Sequence, residues 1–119
     1  MNPQRIRQWA AAFGFLAVLL GAFGAHGLES RLTELDRVET WETAVFYHFV
    51  HALALLGLSL MPRPSKGAAY GFIIGTLIFS GSLYVLSLTG LTKLGAITPI
   101  GGLSMMLGWA CLFLNKSES

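Results

Sequence analysis

Four long apolar runs divide the chain, and one short charged stretch separates the first from the second. Residues 6–25 carry a single charge, Arg7, at their edge. Residues 43–61, 67–92 and 94–115 contain no Asp, Glu, Lys or Arg. A helix needs about 20 apolar residues to cross a hydrocarbon core about 30 Å thick. The pattern therefore predicts four spans, at about 6–25, 42–61, 68–88 and 94–114. Gly27 is expected to close the first helix in the left-handed conformation. Thr40 is expected to cap the second, with Glu42 at the positive end of its dipole. Pro62 and Pro64 stop that helix, and Pro99 falls in the first turns of the fourth. The connection TGLTKLG (89–95) is short enough to require an antiparallel hairpin.

Residues 28–40 form the one densely charged stretch. Leu28, Leu32 and Leu35 recur at i, i+4 and i+7, with Glu29, Arg31, Glu34, Asp36 and Arg37 mostly off that stripe. This spacing predicts a short amphipathic helix lying in the membrane interface; the plainer alternative is a solvated loop. Glu29 and Glu42 fall at the outer boundary and read as capping or solvated charges.

Composition strengthens the picture. Hydrophobic residues make up 54% of the 119 and charged residues 12%, about half the share of a soluble domain. The expected fold is an all-α integral membrane protein: one domain, 1–119, forming a compact bundle of four transmembrane helices with a short interfacial helix between the first two. Arg5 and Arg7 before an apolar run resemble a secretory signal, but the run exceeds the usual core of one, so it is read as an uncleaved span. The one cysteine, Cys111, excludes an intrachain disulfide or a CxxC motif. A net charge of +2 and a pI near 9.0 come from helix ends and imply no nucleic acid. Arg5, Arg7, Arg63, Lys66 and Lys116 fall on one side, against Arg31, Arg37 and Lys93 on the other. That excess predicts both termini in the cytoplasm.

Small residues mark where helices approach closely in lipid. Gly67, Gly71 and Gly75 form a GxxxGxxxG stripe on the third helix. Ala17, Gly21 and Ala25 form one on the first, and Gly101, Gly102, Ser104 and Gly108 mark the fourth. These fit packing within one bundle. The sharper expectation is that the third-helix stripe joins copies of the chain into a homo-oligomer.

At 1.5 Å per residue, His48 falls about 7 Å and His51 about 12 Å below the outer surface. Ser80, Ser82, Tyr84 and Thr98 reach similar depths, and His26 sits at the outer end of the first helix. His48 and His51 share a helix face and are expected inside the bundle. Three explanations of this outer polar layer stand. It is hydrogen-bonding glue, it lines a site for a lipid head group, quinone or polar solute, or His26, His48 and His51 hold a metal or haem. No GxSxG, P-loop, HExxH or pair of buried carboxylates is present, so neither an enzyme nor a resident cofactor is implied.

The blocks GAFGAHGL (21–28), WETAVFYHFVHALALL (41–56), FSGSLYVLSLTG (79–90) and LGAITPIGGL (94–103) resemble the bacterial family known as domain of unknown function 423, whose animal relatives are named transmembrane protein 256. The resemblance covers nearly the whole chain. It implies a small four-span protein of the bacterial inner membrane and supplies no reaction. His26, Trp41, Tyr47, His48, His51, Ser80, Ser82, Tyr84, Thr98 and Pro99 all lie within those blocks. The leading expectation is a non-enzymatic membrane protein, with membrane lipids as its partners, whose outer polar layer stabilises the bundle and binds a lipid or other small ligand. The alternatives are an oligomeric transporter or channel using the histidine face, and an accessory subunit of a membrane complex.

Overall fold

A computed structural model describes residues 1–115, which fold into helices α1 (Pro3–Ala25), α2 (Glu29–Glu34), α3 (Val38–Ser59), α4 (Lys66–Thr89) and α5 (Thr98–Leu114), with a 3-10 turn at Thr92–Ala96. No strand occurs among the described residues. Lys116, which entered the charge count, lies outside them. Three stretches are long and apolar enough to cross a membrane: Pro3–Ala25, Lys66–Thr89 and Thr92–Leu114. Helix α3 carries Glu39, Glu42, His48 and His51 and is not among the three.

Each boundary has a local cause. Asn2 caps α1 by accepting the Arg5 N–H at 2.8 Å, and Pro3 supplies a preset φ in the first turn. Ser65 caps α4 in the same way through the Ala68 N–H at 3.1 Å. Gly90 ends α4 at φ 75°, donating to the Leu86 carbonyl at 2.7 Å.

Several predicted boundaries need correction. Gly27 does not take the left-handed conformation: Gly90 is the one glycine with positive φ among the described residues. The chain instead leaves α1 with the Leu28 N–H on the Phe23 carbonyl at 2.7 Å and runs directly into α2. The amphipathic segment is not one helix over 28–40. Asp36 adopts φ 56° and closes α2, with the Arg37 N–H on the Leu32 carbonyl and the Asp36 N–H on the Thr33 carbonyl. This is the Schellman arrangement, and aspartate tolerates the left-handed position better than most residues. Helix α3 consequently begins at Val38, with Arg37 rather than Thr40 at the N-cap position and no side-chain cap bond. The last helix begins at Thr98, not 94. Pro99 has no N–H to offer the Gly95 carbonyl, so the chain tightens into a 3-10 turn before α5 starts.

The long helices pack in chain order: α1 on α3, α3 on α4, α4 on α5. The pairs are antiparallel. Along α4 and α5, Gly67 meets Cys111, Gly71 meets Gly108, and Gly75 meets Met105. Helices α1 and α5 make no comparable contact among the described residues. The molecule is therefore an open row, folded enough to measure 53 × 26 × 17 Å, rather than a closed four-helix ring. Helix α2 touches α1, α3 and α4 and sits across one end of the row, with Leu32 fully buried. Arg31 Nη2 reaches the Leu88 carbonyl at 3.4 Å, tying α2 to the end of α4.

The glycine stripe of α4 is occupied from within. A Cβ on Gly71 would stand 2.6 Å from the Gly108 Cα, and one on Gly75 would stand 2.8 Å from the Met105 nitrogen. Gly101 faces the Phe79 backbone just as closely. The close contact that the stripe makes is thus with α5 of the same chain. Three glycines spaced four residues apart let α5 approach backbone to backbone, and the short hairpin already holds α5 there. The outward faces are apolar: Phe15 is 71% exposed and Phe113 87%, as lipid-facing side chains are.

Candidate functional site

The polar residues of α3 and α4 meet in a series of direct cross-links. His48 Nδ1 and the Tyr84 hydroxyl share a hydrogen bond of 2.8 Å. The Ser80 hydroxyl donates to the Ala44 carbonyl at 2.8 Å. Ser82 and Thr98 share a hydroxyl pair at 2.6 Å, linking α4 to the start of α5. The Ser104 hydroxyl donates to the Gly71 carbonyl at 3.0 Å. Both histidines face inward, His48 with 5% and His51 with 3% of its surface exposed.

His51 is held at both ring nitrogens. The Trp109 indole N–H donates to Nε2 at 3.0 Å, and Nδ1 lies 2.8 Å from the Tyr47 carbonyl. An indole nitrogen can only donate, so Nε2 must be the acceptor. The proton then sits on Nδ1 and is donated to Tyr47. The ring is thereby fixed as the neutral Nδ1–H tautomer, with no lone pair left for a metal. Phe72 and Trp109 pack edge-on against it, at centroid distances of 5.3 and 5.8 Å.

His26 takes no part in this layer. It is exposed, and its backbone N–H serves as the terminal donor of α1. Among the described residues no group of three His, Cys, Asp or Glu side chains stands close enough to hold a metal ion. The trio His26, His48 and His51 is thus not brought together. Two buried hydroxyls, of Thr76 and Ser87, have no hydrogen-bond partner among the described residues. Thr76 lines a small groove of about 170 Å³ with His48, Ser80 and Tyr84, walled by Phe13, Leu16 and Leu77.

A roomier opening than this groove lies elsewhere. A cleft of about 720 Å³ runs between α1, α2 and α3 at the α2 end of the row. Its floor is Gly21, Gly24 and Ala25, where α1 presents almost no side chain. Val45, Phe46 and Phe49 form the inner wall, and Glu29, Thr33 and Glu42 form the rim. Trp41 holds the floor in place: its indole N–H donates to the Leu20 carbonyl at 2.9 Å, and its ring lies directly over Gly24. Leu20, with Gly24 four residues on, is therefore the α1 contact that α3 grips. Trp41 also packs against Tyr84, with ring centroids 4.8 Å apart and planes tilted by 59°, so one face of the cleft is continuous with the polar layer.

Sequence reasoning missed Trp109, the second partner of His51, and this cleft. The available signal for Trp109 was an indole N–H inside an apolar run, which must find an acceptor. For the cleft it was Gly21, Gly24 and Ala25 on α1, combined with the acidic residues Glu29 and Glu42.

Comparison with known proteins places this arrangement. Residues 20–102 match the family described as protein of unknown function (DUF423). The chain is 43% identical over 100 residues to the UPF0382 membrane protein YwdK of Bacillus subtilis, covering 79% of this chain and 80% of that protein. The chain belongs to this family. A UPF0382 membrane protein of Schizosaccharomyces pombe is 41% identical over 112 residues, covering 88% of this chain and 95% of its own. The UPF0382 inner membrane protein YgdD of Escherichia coli is 39% identical over 113 residues, covering 90% of this chain and 85% of its own. No solved structure matches the chain. The DUF423 match contains every residue of the cleft and the His48–Tyr84 and Ser82–Thr98 cross-links, while Trp109 lies beyond it.

Proposed function

We propose that this chain is a four-span inner-membrane protein that holds a membrane lipid in the cleft between α1, α2 and α3, with the polar layer as the cross-link that keeps α3 against α4. One observation carries the reading: the roughly 720 Å³ cleft has an apolar, glycine-floored interior and a polar rim. Ligand sites typically occupy about 300–1,000 Å³. The length of α3 supports a fourth span. Its 22 residues reach about 33 Å, and it packs antiparallel between α1 and α4, both long and apolar enough to cross. A helix laid along two spans crosses with them. In this reading α2 lies in the outer interface, and Arg5, Arg7, Arg63 and Lys66 face the cytoplasm.

The experiment is native mass spectrometry of the full chain released from nanodiscs into mild detergent. Wild type is expected to retain one lipid at activation energies that strip loosely held ones. Val45→Trp fills the cleft from α3, and Thr33→Trp fills it from an exposed rim position that no helix seam depends on. Both are expected to lose the retained lipid while keeping helicity and monodispersity. Wild-type occupancy in both variants would overturn the reading.

A further inference from the structure

We infer that the cleft selects a phospholipid whose head ends in a primary ammonium, an ethanolamine-type head, and this assignment rests on the lipid-holding reading above. The order of chemistry along the cleft carries it. Along α3 the lining runs from Val38 to Phe49, about 16 Å of helix. Its inner part is Val45, Phe46 and Phe49 against Gly21, suited to an acyl chain. Its outer part brings Glu42 from α3 and Glu29 from α2 to the same rim. A phospholipid has the same order: tail deepest, phosphate next, and the terminal amine farthest out.

The charge at the rim is one-sided. Glu29 and Glu42 line the cleft, and its lining includes no Lys, Arg or His. Neither carboxylate has an ion-pair partner among the described residues; Arg31, the cation nearest in sequence to Glu29, is paired with Glu34 at 3.8 Å and bonded to the Leu88 carbonyl. Carboxylates only accept hydrogen bonds, and a primary ammonium offers three donors. A trimethylated head carries the same charge with no donor. A glycerol head leaves the phosphate charge without an ammonium to offset it, and a serine head adds a carboxylate beside the two of the rim. The rim therefore discriminates by charge against anionic heads and by hydrogen bonding against choline.

The test is competition in nanodiscs containing equal parts of phosphatidylethanolamine, phosphatidylcholine and phosphatidylglycerol of matched chains, read as the identity of the retained lipid. Wild type is expected to enrich the ethanolamine head over each competitor by about threefold to fivefold, the upper part of the range of exposed ion pairs. Glu29→Gln/Glu42→Gln is expected to bring the ratios close to one with total retained lipid unchanged. Both positions are exposed, so the double variant keeps its fold. Equal retention of choline and ethanolamine heads by wild type, or unchanged enrichment in the double variant, would overturn the head-group assignment alone. In either case, lipid loss in Thr33→Trp would still uphold the cleft. Full lipid occupancy in both Val45→Trp and Thr33→Trp would overturn the cleft reading and the assignment together.

Discussion

Trp109 on α5 donates its indole hydrogen to His51 on α3, across 58 residues of sequence and past the intervening helix α4. That single bond determines the tautomer of His51, because it makes Nε2 an acceptor and leaves Nδ1 to donate to Tyr47.

Trp109→Phe keeps a smaller aromatic ring and removes the donor, leaving a buried nitrogen unpaired. Hydrogen bonds between membrane helices average about 0.6 kcal/mol, with a maximum of about 1.7. A loss of about 1 kcal/mol is expected, read by equilibrium unfolding in mixed micelles. Nitrogen-15 spectra of the wild-type imidazole should show the Nδ1–H form at His51. An Nε2–H signal there would contradict the geometry.

The polar layer should respond unevenly to loss of hydroxyls. Tyr84→Phe removes the partner of His48 and is expected to cost about 0.5–1.5 kcal/mol. Thr76→Val deletes a buried hydroxyl that has no partner, at a site only 3% exposed. Replacing an unsatisfied polar group by an apolar one of the same shape is neutral or stabilising. The same unfolding assay should therefore rank Thr76→Val at or above wild type and Tyr84→Phe below it.

Glycine substitutions should divide by what a Cβ would meet. Gly71→Ala and Gly75→Ala drive a methyl into the α5 backbone and are expected to cost about 1–3 kcal/mol. Gly57→Ala and Gly81→Ala meet nothing within 4 Å, so they should gain up to about 1 kcal/mol from helix propensity. Parallel unfolding curves of the four variants check this. A Gly71→Ala protein as stable as wild type would mean that α4 and α5 are not in backbone contact.

The proposed orientation makes a prediction independent of stability. In a Cys111→Ser background, a cysteine at Ser30 on α2 should react with a membrane-impermeant maleimide added to spheroplasts. One at Pro62, in the α3–α4 connection, should react only after the membrane is opened. The reverse pattern would invert the topology.

Much of the fold was legible because its cause is local. The apolar runs located every long helix to within a few residues, and Pro62, Pro64 and Pro99 marked real interruptions. The errors fell at turns. Gly27 looked like a left-handed closure, yet Asp36 takes that conformation at the end of α2, while the turn at 26–28 after α1 is made without a positive φ. The GxxxGxxxG stripe correctly marked a close contact, but its periodicity carries no information about which helix fills it. Depth counting brought His48 level with Tyr84 and put Ser82 and Thr98 in the same outer layer, and both pairs bond. It also grouped His26 with them, although that side chain remains exposed at the end of α1.

What the sequence by itself determined was the solvent and the elements. Backbone groups in hydrocarbon must bond within their own helix, so long uncharged runs admit few other structures. What only the tertiary structure decided was partnership: Trp109 with His51, Trp41 with the Leu20 carbonyl, α5 with the glycine face of α4, and the cleft that Glu29 and Glu42 rim. Each depends on the rotation of one helix about its axis and its register against another. Those quantities are set by side-chain packing between distant segments, and no local pattern encodes them.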